Sequence, residues 1–170
     1  MEDLLDVESL NMLTGLVRAL SSEDTLGAVV RVHLYIENEL EQFIRLRLPE
    51  GAYNALKLTY SAKIRLAGGL GYPKSGVATL EQVGKIRNDF AHKLDTELTD
   101  EAMAKLWEAF GPEGQDIMIR EFTRVQEPSE LFEPPPSPKK KFEFFAVGIW
   151  ALLRVENNRW RRDNLTPRAG

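Results

Sequence analysis

Apolar residues recur along this chain three and four positions apart, the spacing of helices that bury one face. In "SLNMLTGLVRAL" (Ser9 to Leu20) the spacing puts Leu10, Leu13, Leu16, Val17 and Leu20 on one side. The next stretch reads as the longest helix, Glu23 to Leu48. Ser21 or Ser22 is its cap, Glu23 and Asp24 suit its positive end, and Pro49 closes it. At ~1.5 Å per residue it would span about 39 Å, the length of a bundle helix. Its stripe runs Leu26, Val29, Val30, Ile36, Leu40, Phe43, Ile44, with His33 and Glu37 inside it, one turn apart. Polar groups on a core face need partners. Either His33 and Glu37 satisfy each other, or Glu37 reaches across the bundle to hold Arg87.

Further along, Ile64, Leu66, Ala67 and Leu70 mark a helix from Ser61 to Leu70, ended by Gly71 and Pro73. "SGVATLEQVGKIRNDFAHKL" follows as a helix with Val77, Leu80, Val83, Ile86, Phe90 and Leu94 inward. A fifth helix starts after Thr99, a good cap, with Asp100 and Glu101 at its positive end and Leu98 with Met103 as a hydrophobic staple. Gly111 and Pro112 stop it. "QDIMIREFTRV" fits a short helix or an extended stretch. The prolines of "QEPSELFEPPPSPKKK" forbid a continuing helix. A last helix, Phe142 to Arg161, carries Phe145, Ile149, Leu152, Val155 and Trp160, and either folds back or docks on another chain. The pattern thus predicts an all-α fold: a helical bundle domain over 1–125 with its core in 22–110, a Pro/Lys-rich linker over 126–141, and a C-terminal helix with a basic tail over 142–170.

Composition narrows the chemistry. At 170 residues, 43% hydrophobic and 28% charged, the chain has room for one well-cored domain. Without cysteine it lacks thiolate sites, and two histidines argue against a protein-only zinc site, so no metal or cofactor is expected. The acidic start "MEDLLDVESLNML" is unlike a signal peptide. The run "FFAVGIWALL" is about half of the roughly 20 residues a membrane span needs, so a cytoplasmic protein is expected. Charge is uneven. Residues 139 to 170 hold eight basic side chains (Lys139, Lys140, Lys141, Arg154, Arg159, Arg161, Arg162, Arg168) against Glu143, Glu156 and Asp163, a net of +5, which leaves −9 on the rest of a chain whose total is −4. An acidic body argues against direct binding to duplex DNA, while the basic end leaves room for a local contact with RNA or an acidic partner.

The candidate chemistry sits in "KIRNDFAHKL", Lys85 to Leu94. RNA can be cut without metal when a base takes the 2′-hydroxyl proton, an acid protonates the leaving oxygen and a cation steadies the phosphorane. His92 suits the proton transfers and Arg87 the phosphate. Five residues place them about 140° apart on one helix, so a single copy is an incomplete site. Two copies meeting across a twofold axis would complete it. Asn88, one turn before His92, is placed to fix the imidazole tautomer.

"IRNDFAH" resembles the Arg-x4-His signature of the HEPN superfamily of all-helical, often dimeric proteins, which includes metal-independent ribonucleases and non-catalytic regulators. With "YSAKIRLAGGLGY" before it and "LTDEAMAKLWEAF" after, the order is similar to the mannitol operon repressor (MltR) family. There a Ser-x-basic-aliphatic-basic-Leu helix, here Ser61, Lys63, Ile64, Arg65 and Leu66, ends at a Leu-Gly, here Leu70 and Gly71. It precedes the Arg-x4-His helix, here Arg87 and His92. The resemblance implies a HEPN-like or MltR-like helical bundle, a homodimer and negative regulation of transcription. It makes Arg87, Asn88 and His92 the candidate catalytic positions, and Glu37 and His33, from their place in the apolar stripe of the long helix, are the candidate supporting residues. A helix-turn-helix over residues 67–87 would set Glu81 and Asp89 against phosphates, which favours a protein partner or RNA over DNA.

Overall fold

The computed structural model describes residues 6–125 and 136–165; the Pro-rich stretch 126–135 lies outside them, as does Arg168. Among the described residues there are seven α-helices and no strand. They are α1 (Val7–Ser22), α2 (Thr25–Arg47), α3 (Tyr60–Gly69), α4 (Lys74–His92), α5 (Asp100–Ala109), α6 (Gly111–Val125) and α7 (Pro138–Leu165), with a 3-10 turn at Ala52–Ala55 after α2. None is long and apolar enough to cross a membrane.

Local chemistry sets the boundaries. Asp24, not Ser21 or Ser22, caps α2, accepting from the Gly27 N–H at 2.6 Å, while Ser21 and Ser22 turn back onto carbonyls of α1. Thr99 caps α5 as the sequence predicts. Gly111 takes φ 65° between α5 and α6, which redirects the chain without ending helical structure, and the ambiguous "QDIMIREFTRV" is helix. The last helix begins at Pro138, four residues earlier than the pattern predicts. Proline fits a first helical position, where no N–H is needed, and the Ser137 hydroxyl accepts from Lys140 N–H at 3.3 Å. Lys139 to Lys141 are therefore helix, not linker.

Two helices form the centre. α7 folds back along α2, and Phe142, Trp150 and Leu153 are buried against a core that includes Ile36, Leu40, Phe43 and Ile44 of α2. α1 flanks that pair, and α3, α4 and α5 close the other side. Being surrounded, α2 also buries Ala28, Val32 and Glu39, whereas Leu26 and Val30 of the predicted stripe are exposed. On α1 the inward face is Ser9, Leu16 and Leu20, with Leu10 and Val17 outside. Leu94, expected inward, is fully exposed because α4 ends two residues before it. Full burial of a leucine-sized side chain contributes roughly 1.5–3 kcal/mol. The α2–α7 seam therefore carries much of the fold's stability.

Candidate functional site

α4 brings the candidate residues to its C-terminal end. Leu80, Val83 and Ile86 bury one face of the helix and leave Arg87, Asn88 and His92 exposed. The helix stops at His92 because Thr96 folds back, its hydroxyl donating to the carbonyls of Asp89 and Lys93 at 3.2 Å each. An i,i+4 pair of Lys93 with Asp89 at 2.6 Å braces this last turn.

The three side chains do not converge. Arg87 Nη1 donates to Asn88 Oδ1 at 3.1 Å, so Asn88 is turned to the arginine rather than to the imidazole it was expected to orient. No hydrogen bond or ion pair joins His92 to either residue. Instead His92 lines an open groove of about 620 Å³ whose walls are the α2 start (Asp24 to Leu26), the segment after α4 (Lys93, Leu94) and the α7 start (Pro138, Lys139). Arg87 is not part of that lining. One chain thus presents an arginine and a histidine separately, and chemistry needing both would have to draw on a second copy.

His33 and Glu37 serve a different assembly. Glu37 does not reach Arg87. Its Oε1 accepts from Lys63 Nζ at 2.7 Å and its Oε2 lies 3.4 Å from His33 Nε2. Lys63, almost buried, also donates to Glu41 Oε1 at 2.5 Å, clamping α3 to α2. The hydrogen bond from His33 is the largest influence on the Glu37 carboxyl. With the Lys63 ammonium it outweighs the cost of burial and holds the pKa down to about 2. Burial works against the Lys63 charge, but the bonds to Glu37 and Glu41 prevail and raise its pKa. The His33 ring meets Tyr60 edge-on at 4.4 Å, and the Tyr60 hydroxyl donates to Leu80 O at 3.1 Å, tying α3 to α4.

Two features were not anticipated. Glu39 is fully buried and held by Arg154 Nη1 at 3.3 Å and Asn157 Nδ2 at 3.0 Å, while Arg154 Nε donates to Ser9 Oγ at 2.8 Å. Arg154 is therefore a core residue joining α1, α2 and α7. A lone charge inside the apolar run "GIWALLRV" was its signal. The other basic residues at this end are also engaged: Lys140 with Glu143 at 2.8 Å, Lys141 with Asp100 at 2.5 Å, Arg159 with Glu156 at 3.0 Å, and Arg161 with the Asn158 amide oxygen at 2.9 Å. Of the basic excess, Lys141 and Arg154 are taken up by Asp100 and Glu39, carboxylates outside this segment, while Arg161 meets a neutral amide.

Comparison with protein-family models, with curated proteins and with solved structures found no match to this chain.

Proposed function

We propose that this chain is a cytoplasmic regulator, of the kind the MltR resemblance implies, that acts by binding a protein partner and not by turnover. The observation that carries the reading is an exposed apolar stripe on α2. Leu26, Val30 and Leu34, one turn apart, are 50%, 44% and 59% exposed, and Leu26 runs into the groove where Leu94 is also bare. Leucines and valines aligned on an open helix face suit a protein surface better than a phosphate backbone. Internal pairing of the basic end weighs against nucleic acid as the main partner. Function as a homodimer, and negative regulation of transcription, belong to this reading as expectations of the resemblance.

The metal-independent ribonuclease remains the second reading, favoured by one observation: Arg87 and His92 are exposed and take no carboxylate partner among the described residues, which leaves both open to RNA or a second copy. The two readings separate in one assay. End-labelled RNA is incubated with the purified chain in EDTA, alongside His92→Ala and Arg87→Ala. The regulator reading expects no cleavage by any of the three. Cleavage by the wild type that both substitutions abolish, leaving 2′,3′-cyclic phosphate ends, would replace it with the nuclease.

A further inference from the structure

A second concavity lies at the opposite end of α4 from His92, where that helix meets α6 and α7. It encloses about 300 Å³, at the lower end of the roughly 300–1,000 Å³ typical of small-molecule sites. Its walls are apolar, chiefly Phe110, Ile117, Ile149, Leu152 and Val155, with the Tyr72 ring among them. Tyr72 is 7% exposed and packs edge-on against Phe43 at 5.0 Å. Its hydroxyl makes no hydrogen bond with a described residue. Buried phenols ordinarily find a partner, so this one is left to bond whatever enters the cleft. Gly76 lets the α4 backbone lie against one side of the ring, since a Cβ there would fall 2.5 Å from Tyr72 Cε1.

Charge at the rim selects the ligand. Glu113, Glu121 and Glu156 stand at the rim with Arg120 and Arg159. Both arginines lie beside carboxylates, Arg159 at 3.0 Å from Glu156 and Arg120 at 3.5 Å from Glu121. Glu113 is exposed at the start of α6 and holds no cation among the described residues. We propose that this cleft binds a small primary amine with a flat apolar body, its ring on Tyr72 and Phe110 and its ammonium between the Tyr72 phenol oxygen and the rim carboxylates. An ammonium can donate to the phenol oxygen, pair with Glu113 and lie near aromatic faces that attract cations. A carboxylate of the same shape would meet the Glu113 carboxylate and form no such pair. The inference does not rest on the regulator reading, because it uses neither the α2 stripe nor His92.

The test uses the full chain and three probes of one shape, 2-phenylethylamine, 2-phenylethanol and 3-phenylpropionate, titrated by calorimetry and ligand-observed NMR. The amine is expected to bind saturably and about 10-fold or more tighter than either comparator. Glu113→Gln, at an exposed position, should reduce the preference for the amine over the alcohol, and the cleft-filling Ile117→Trp should abolish binding while the circular dichroism spectrum stays helical. Equal affinity for the three probes, binding that survives Ile117→Trp in a folded variant, or no saturable binding of the amine would each overturn the proposal.

Discussion

Glu37 and Glu39 stand two positions apart on α2 and make opposite demands. Glu37 is partly open to water, and its carboxyl titrates near 2 instead of its ordinary 4.5. As pH falls, the unfolded chain takes up this proton before the folded one does, so the stabilisation is full above about pH 4.5 and is lost as pH drops toward 2. Urea unfolding between pH 6 and pH 3 should show that decline, and Glu37→Gln should make the profile shallower. Glu39 is sealed in the core, so removing its cation leaves a buried unpaired charge. Arg154→Ala is expected to cost about 3–5 kcal/mol. Arg87→Ala, at an exposed position, should stay within about 0.5 kcal/mol, and a larger loss in the same denaturation experiment would place Arg87 in the fold's support instead of on its surface. His33, Glu37, Arg87 and His92 were all visible in the sequence as polar residues at notable spacings. The His33–Glu37 contact was legible as well, as an i,i+4 pair, and the two stand 3.4 Å apart; the long-range partners were not. Glu37 lies 26 positions from Lys63 and Glu39 lies 115 from Arg154, and no local period carries such pairings.

At the scale of elements, helical periodicity found six of the seven helices and left only the α6 stretch undecided. Its errors were of face. A one-sided stripe assumes one buried side, but α2 has neighbours on several sides, and α1, which touches only α2 and α7 closely, leaves Leu10 and Val17 outward. Glycines mark where helices approach. A Cβ on Gly84 would fall 2.9 Å from Tyr60 Cε1, on a ring fixed by Leu80 O and His33. In an exposed helix Gly→Ala gains about 1 kcal/mol, but overpacking costs roughly 1–3. Gly84→Ala is therefore expected to give no gain, or a loss, in thermal unfolding. Of the two alternatives the sequence left for α7, folding back or docking on another chain, the structure takes the first and makes α7 a central element. Trp150→Ala should cost about 3–5 kcal/mol, and a near-neutral result would mean that α7 does not belong to the cooperative unit.

At the scale of the whole molecule, the net charge of residues 139 to 170 overstated what a partner would meet, because folding sets Lys141 beside Asp100 of α5 and buries Arg154 with Glu39 of α2. Weak, salt-sensitive association with RNA is then the upper limit for this end of the protein. The α2 stripe gives a sharper expectation. If it is a protein-binding face, Leu34→Asp should leave helicity and unfolding nearly unchanged, since the residue is 59% exposed, while disrupting self-association or partner binding read by light scattering and surface binding. A variant that unfolds, or one that binds as the wild type does, would remove the stripe from consideration.

The sequence by itself determined the all-helical class, the approximate place of six helices, and which side chains could do chemistry, because periodicity and residue type are local properties. Only the tertiary structure decided which faces are buried, that α7 closes the core, that Glu37 holds Lys63 and not Arg87, and that Arg87 and His92 stay apart. Those outcomes depend on how helices distant in sequence pack and on which charges are sealed from water together, and neither is written in any one segment.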